Sequence, residues 1–445
     1  MTEQAHSWGT DTPAVVVSCD GHVGPLLEEQ LRPYCPPAYL ERFDDFVRQH
    51  EQAEEAMAQS SGSDEARLQQ MFREHPNRRT AGHHDVNVRL ADMDRDGVAA
   101  ELIWHFSQNG EPLPWAGHGL GTVTPEQFEL AGVAYKLYNR WLADFCSVDD
   151  QRLLGLAYLP MWDVEAAVGE LRWAREAGLR VVNFPPPGRP GVLEYNSLDW
   201  EPFWSACEDL GMTLATHSSG GPLFNYEAGP GARRLAAYEG GGWLARRSVW
   251  WLTYGEVFER HPQLKLVITE QYEGWWLPTL LELDSVYATF GGSSALPRLP
   301  SEYARTNVFL GASFMSTSLA EEAWREGYVE NVLWGRDYPH VEGIWREPAG
   351  ADVEPVTKVA LRHVLSRVPI RDALLMAGQN ALRVYGLDGD HLAAVARRIG
   401  ALTPAQLATP PADLPDVDRS NAFLGQAGSR PLEPDRIARF RAYTG

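Results

Sequence analysis

The chain has 445 residues, 44% of them hydrophobic and 16 of them tryptophan, which is long for one ordinary domain and normal for an elaborated α/β barrel. Its formal net charge of −21 repels phosphate backbones and anionic lipid, and no Lys/Arg-rich run breaks that sign, which argues against nucleic acid and membrane as partners. A small-molecule substrate remains, and it can still be anionic where a metal or a few arginines reverse the field locally.

Residues 1–14 read as an N-terminal arm. They carry neither a basic segment nor an apolar stretch before a small-residue cleavage site, so a soluble, cytoplasmic protein is expected. Cys19, Cys35, Cys146 and Cys207 are widely spaced, with no Cys-x-x-Cys, and read as reduced thiols. The first strand is VVVSC (15–19). Residues 40–80 are charged and helical with a Ser/Gly break, and read as an insertion after that strand, either a lid or dimerisation arm or a solvated helical pair. Further apolar runs follow at ELIWHF (101–106), 153–160, 181–186, 212–219, 264–271, 308–314 and 331–339. Between them lie segments such as VEAAVGELRWAREAG, with apolar residues at helical spacing and Gly178 or Gly211 placed to end the helix.

Eight strands alternating with helices predict a (β/α)₈ TIM-like barrel over 15–388. An open doubly wound sheet would want a Gly-rich phosphate turn after the first strand, where Cys19-Asp20-Gly21-His22 stands instead. Residues 389–445, Pro-rich and polar, read as a C-terminal extension packed on the barrel or on a neighbouring subunit, and a homo-oligomer, as a homodimer, is expected.

Barrel enzymes gather their chemistry from the C-terminal ends of the strands. Here those ends supply Asp20 and His22, Trp104 and His105, His217, Glu270, and Asp337 with His340, while the third, fourth and seventh strands end in apolar or small residues that read as walls. Imidazoles and carboxylates converging on one mouth suit one divalent ion, zinc first, manganese or iron next. Residues two apart at a strand end share a side, so Asp20 and His22 both face such an ion. Trp104, Glu273, Arg336 and His340 are candidate substrate contacts, and His105 and Glu270 candidate acids. His83 and His84 read as loop histidines.

The segments VVVSCDGHV, RLADMDRDGVAAELIW, ATHSSG, FERHPQLKLVITEQYEGWWLPTLLELD, NVLWGRDYPHVEG and GQNALRVYGL together resemble the amidohydrolase superfamily, in the amidohydrolase-2 group that includes aminocarboxymuconate-semialdehyde and γ-resorcylate decarboxylases. The resemblance implies a deformed barrel with one metal, held by His22, His217 and Asp337, with Asp20 at the first position of the opening motif and Asp337 also handling the proton of metal-bound water. Two departures stand out. The sixth strand has Glu270 and Glu273 where the family decarboxylases usually have His and Glu, and the opening motif has Gly24-Pro25 where relatives often carry Glu-Pro. The altered sixth strand ranks a metal-dependent hydrolase of a small aromatic or cyclic substrate first, a non-oxidative decarboxylase of an aromatic or unsaturated acid second, and a metal-free barrel that binds or rearranges a small molecule third.

Overall fold

The computed structural model describes residues 11–59, 70, 73–117, 123–217, 231, 235, 238–291, 296–348, 350 and 353–414. Most of the arm, the middle of the insertion and the chain from 415 onward therefore lie outside the described residues, as do Ser218 and Ser219 of the ATHSSG segment.

All strands are parallel, in the order β1 (Val17–Ser18), β3 (Ala100–His105), β4 (Leu153–Ala157), β5 (Val181–Asn183), β6 (Thr213–Thr216), β7 (Leu266–Ile268), β8 (Val308–Ala312) and β9 (Val332–Trp334). A further strand, β2 (His22–Val23), also pairs with β3, with His22 opposite Trp104. β1 and β2 are thus one barrel strand interrupted at residues 19–21. Its other edge meets the last strand: the Cys19 N–H donates to the Trp334 carbonyl at 2.9 Å and Gly21 bridges Tyr338, which closes the eight-stranded barrel. Every strand residue is buried, as a parallel sheet covered on both faces requires, and the strands read as apolar runs for that reason.

The strands end earlier than their hydrophobic runs. Phe106, Glu270 and Asp337, just past β3, β7 and β9, have φ of 75°, 55° and 51°, a left-handed conformation that breaks the ladder and re-aims the side chain.

The helices α1 (Leu40–Gln59), α2 (Val86–Asp96), α3 (Phe128–Cys146), α4 (Val164–Glu176), α5 (Glu201–Asp209), α6 (Leu244–Tyr254), α7 (Trp276–Phe290), α8 (Pro300–Asn307), α9 (Thr317–Arg325) and α10 (Val356–Leu365) include the outer ring. Their ends follow local chemistry: Asp163 accepts from the Ala166 N–H at the start of α4, and Gly178, at φ 90°, turns the chain after it. None of the described helices is long and apolar enough to cross a membrane. The described part of the extension packs on the arm and the barrel, where the Ala14 N–H donates to the Leu402 carbonyl at 2.8 Å and Lys358 Nζ of α10 to the Gly400 carbonyl at 3.1 Å.

The insertion is anchored at both ends. Phe43 and Val47 of α1 are buried, Phe43 against Trp115. Farther on, buried Asn77 donates through Nδ2 to the carbonyls of Pro339 at 3.0 Å, His340 at 3.3 Å and Trp345 at 3.0 Å, so the insertion's end grips the loop after β9.

Beneath the mouth of the barrel lies a buried ion network. Glu101 of β3 accepts from Arg89 Nε at 2.8 Å and Arg336 Nε at 2.6 Å, and Arg336 Nη1 reaches Asp96 at 2.8 Å. The Tyr338 ring lies 4.0 Å from the Arg89 guanidinium and 4.6 Å from that of Arg336. Gly21 faces this network so closely that a Cβ there would sit 2.5 Å from Arg89 Nη2 and 2.6 Å from Glu101 Cδ, which explains the glycine within the Asp-Gly-His motif.

Candidate active site

The first barrel strand delivers Asp20 and His22 to one side, as their spacing predicts. His22 Nε2 lies 3.1 Å from Asp20 Oδ1 and 3.2 Å from Asp337 Oδ1, and all three side chains are fully buried. His217, at the end of β6, brings Nε2 to 3.6 Å from Asp20 Oδ1, with its Nδ1 3.7 Å from Glu270 Oε2. His340 stacks on His22 with ring centroids 3.9 Å apart, and its Nδ1 is 2.9 Å from Asp337 Oδ1.

The backbone sets the histidine tautomers. His22 Nδ1 faces the His105 carbonyl at 2.8 Å, which calls for a proton on Nδ1 and leaves the lone pair of Nε2 aimed at the carboxylates. His340 Nε2 lies 2.6 Å from the Phe106 carbonyl and so carries the proton there, turning Nδ1 toward Asp337. Asp20 is steadied from the far side, where Ser313 Oγ donates to its Oδ2.

The charges follow from this packing. Burial works to raise the Asp20 carboxyl, but the imidazoles of His22 and His217 outweigh it and hold Asp20 well below the usual carboxylate range. Glu270 goes the other way: burial, then the charges of Asp337 and Asp20, push its carboxyl up to about 8 against the opposing pull of His217. For His340 burial is outweighed by Asp337, which holds the imidazole up to about 10.

The residues fit a divalent cation. Asp20 Oδ1, His22 Nε2 and Asp337 Oδ2 are buried without a hydrogen bond, although His22 Nε2 lies about 3 Å from a carboxylate oxygen of Asp20 and of Asp337. Polar atoms this buried are normally hydrogen-bonded. Donors about 2.1 Å from one shared ion come to lie roughly 3 to 3.5 Å from one another. Three overlapping sets of this kind, Asp20/His22/His217, His22/Asp337/His340 and Asp20/Glu270/Asp337, share the same small volume.

Three expected site residues lie elsewhere. His105 points away from the cluster: Trp104 turns inward, its ring edge-on to His217 at 4.9 Å, so the next residue along the strand faces the helix layer, where His105 meets Tyr138 of α3 at 5.1 Å. Arg336 is fully buried, and its guanidinium is occupied by Glu101 and Asp96, so it holds the fold and does not meet a substrate. Glu273 turns toward α9, where Ser316 Oγ donates to its Oε2 at 3.2 Å. His83 is buried as well, with Nε2 3.1 Å from the Asn77 carbonyl.

Three contributors escaped the sequence reading. Ser313 stands where the seventh strand was read as a wall, Asn77 comes from the insertion, and Asn109 fills the place opposite Gly24, donating to its carbonyl at 2.7 Å. A Cβ on Gly24 would meet Asn109 Oδ1 at 2.2 Å, so Asn109 takes the space that a larger side chain at position 24 would need.

A closed parallel barrel with imidazoles and carboxylates at its C-terminal mouth defines a class of metal-dependent enzymes. Residues 122–387 match the family described as Amidohydrolase, and the chain belongs to that family. It is similar to the γ-resorcylate decarboxylase of Rhodococcus jostii (strain RHA1), with 25% identity over 278 residues, 57% of this chain and 77% of that protein. Among solved structures, it is similar in fold to the 5-carboxyvanillate decarboxylase LigW of Sphingomonas paucimobilis, with a TM-score of 0.55 and 21% identity over 84% of this chain and 100% of that one. The 5-carboxyvanillate decarboxylase of Novosphingobium aromaticivorans, solved with manganese and 4-hydroxy-3-methoxy-5-nitrobenzoic acid, gives 0.57 and 16% over 87% of this chain and 100% of that one.

Proposed function

We propose that this chain is a non-oxidative decarboxylase of an aromatic carboxylic acid, with one divalent ion held by Asp20, His22, His217 and Asp337. The ion is manganese in this reading, because two carboxylates make a harder donor set than the zinc first expected. The relatives named as decarboxylases support this order over hydrolysis, and so does the Novosphingobium structure that contains manganese.

The observation that carries the reading is Glu270. A buried carboxyl aimed at the cluster, among other carboxylates, is equipped to deliver a proton to a ring carbon. A divalent cation held by these residues would supply positive charge to offset that of the substrate's carboxylate. Glu270 gives its proton to the ring carbon bearing the carboxylate; the bond to the carboxyl carbon then breaks, its electron pair restores the aromatic ring, and CO₂ leaves. Glu270 is reprotonated from solvent. His340, fixed by the Phe106 carbonyl, holds Asp337 in place, and Trp104 orients the His217 ring.

CO₂ release from a panel of hydroxybenzoic acids by manganese-loaded protein tests this. Expected is release that is lost in Glu270→Gln while manganese stays bound. Cleavage of aromatic amides or esters without CO₂ release from any acid would return hydrolysis to first place.

A further inference from the structure

One cation at the mouth of the barrel is left unused by the site described above. Arg246, in the first turn of α6, is half-buried, and its Nε donates to Gln271 Oε1 at 2.8 Å. Gln271 directly follows Glu270 and is itself fixed, its Nε2 donating to the Thr269 carbonyl at 3.1 Å and its backbone N–H to the Gly311 carbonyl at 2.9 Å. The guanidinium lies 4.5 Å from the centre of the Trp275 ring. The backbone also approaches closely at Gly242, where a Cβ would lie 3.4 Å from Arg246 Nη2.

In so acidic a chain several arginines withdrawn from solvent find carboxylates: Arg89 and Arg336 with Glu101, Arg140 with Glu170, Arg152 with Asp94. Among the described residues none pairs with Arg246, whose neighbouring titratable groups are the hydroxyls of Tyr238 and Tyr272. Burial, uncompensated by an anion, pulls this guanidinium down to about 10. A cation held by a fixed neutral amide and seated on an indole, beside the strand end that supplies the proposed acid, is a preorganised receptor for an anion.

We propose that Arg246, oriented by Gln271, receives an anionic group of the substrate remote from the carboxylate that leaves, so that the substrate is an aromatic diacid. The substrate class rests on the decarboxylase reading, whereas recognition of the anion is measurable by binding alone. Gln271 is a positioning residue here.

The test is calorimetric titration of the manganese-loaded full chain with benzoate, isophthalate and terephthalate, alongside CO₂ release from each. Expected is that one diacid binds about tenfold or more tightly than benzoate, the scale of one charge-assisted hydrogen bond. Arg246→Gln erases that preference and leaves benzoate binding unchanged. Gln271→Glu keeps the guanidinium but gives it an internal carboxylate, and erases the preference as well, which guards against a fold defect in the first variant. The proposal is overturned if neither diacid outbinds benzoate, or if both variants keep the preference. CO₂ release without a diacid preference refutes this inference alone. A preference dependent on Arg246 with no CO₂ from any acid upholds the receptor and refutes the reaction.

Discussion

Ser313 Oγ donates to Asp20 Oδ2 across the barrel, joining the end of the seventh barrel strand to the first. The bond fixes which oxygen of Asp20 faces His22, so Ser313 orients the carboxylate that the proposed metal set uses. Ser313→Ala is expected to weaken manganese binding about 10- to 100-fold, the usual effect of removing a group that orients a ligand, and to cost about 1 kcal/mol of stability. Titration with Mn²⁺ followed by electron paramagnetic resonance measures the first, and urea denaturation the second.

A metal bound at the proposed site would be coupled to the fold. At free manganese near a thousand times Kd, the loaded protein should gain about 4 kcal/mol over the chelated one. His217→Ala is expected to hold less than about a tenth of an equivalent, compared with the near-stoichiometric binding of a structured site. Elemental analysis and melting curves with and without chelator check both, and full metal content in His217→Ala would remove that residue from the donor set.

His105 offers a direct test of strand phase. Because its ring lies against Tyr138 in the helix layer and only its carbonyl serves His22, His105→Phe should keep its manganese and a turnover within a few-fold of wild type. A collapse of turnover with folding and metal intact would put the imidazole back in the reaction.

The network under the mouth predicts a large, purely structural effect. Glu101→Leu leaves Arg89 and Arg336 facing each other with one carboxylate fewer in a buried place, at a cost of about 3 to 5 kcal/mol. Equilibrium denaturation reads this.

His83 makes the fold sensitive to acid. Burial, helped by the nearby charge of Arg89, lowers its imidazole from 6.5 to about 3, so the folded state resists a proton that the unfolded chain accepts. Its contribution is complete above pH 6.5 and is lost as pH falls toward 3, by up to about 1.4 kcal/mol per pH unit. His83→Gln should flatten the stability profile between pH 6 and 4, and an unchanged slope would assign the acid sensitivity to other groups.

The barrel and its mouth were legible because each strand carries its signal within a few residues: apolar runs, then Asp20, His22, His217, Glu270 or Asp337 at the end. Phase was not legible on the second barrel strand. Ala100–His105 is buried on both faces, so polarity does not alternate along it, and nothing in the run says whether Trp104 or His105 turns inward. Arg336 was ambiguous for another reason, since its partner Glu101 lies 235 residues away and a guanidinium beside a strand-end aspartate looks the same whether it meets a substrate or a buried acid. Asn77 and Ser313 gave no signal, because an amide or hydroxyl becomes meaningful only once the backbone it serves is in place.

Asn77 also determines what the insertion is for. Its amide is shared among three carbonyls of the segment that follows Asp337, so the insertion is a rivet of the loop after β9 as much as an ornament above it. A chain trimmed back through residue 77, or given another relative's insertion without an amide at this point, would keep its eight strands yet lose the fastening of one wall of its reaction chamber. In this protein, then, modular exchange has its boundary after the insertion's last turn.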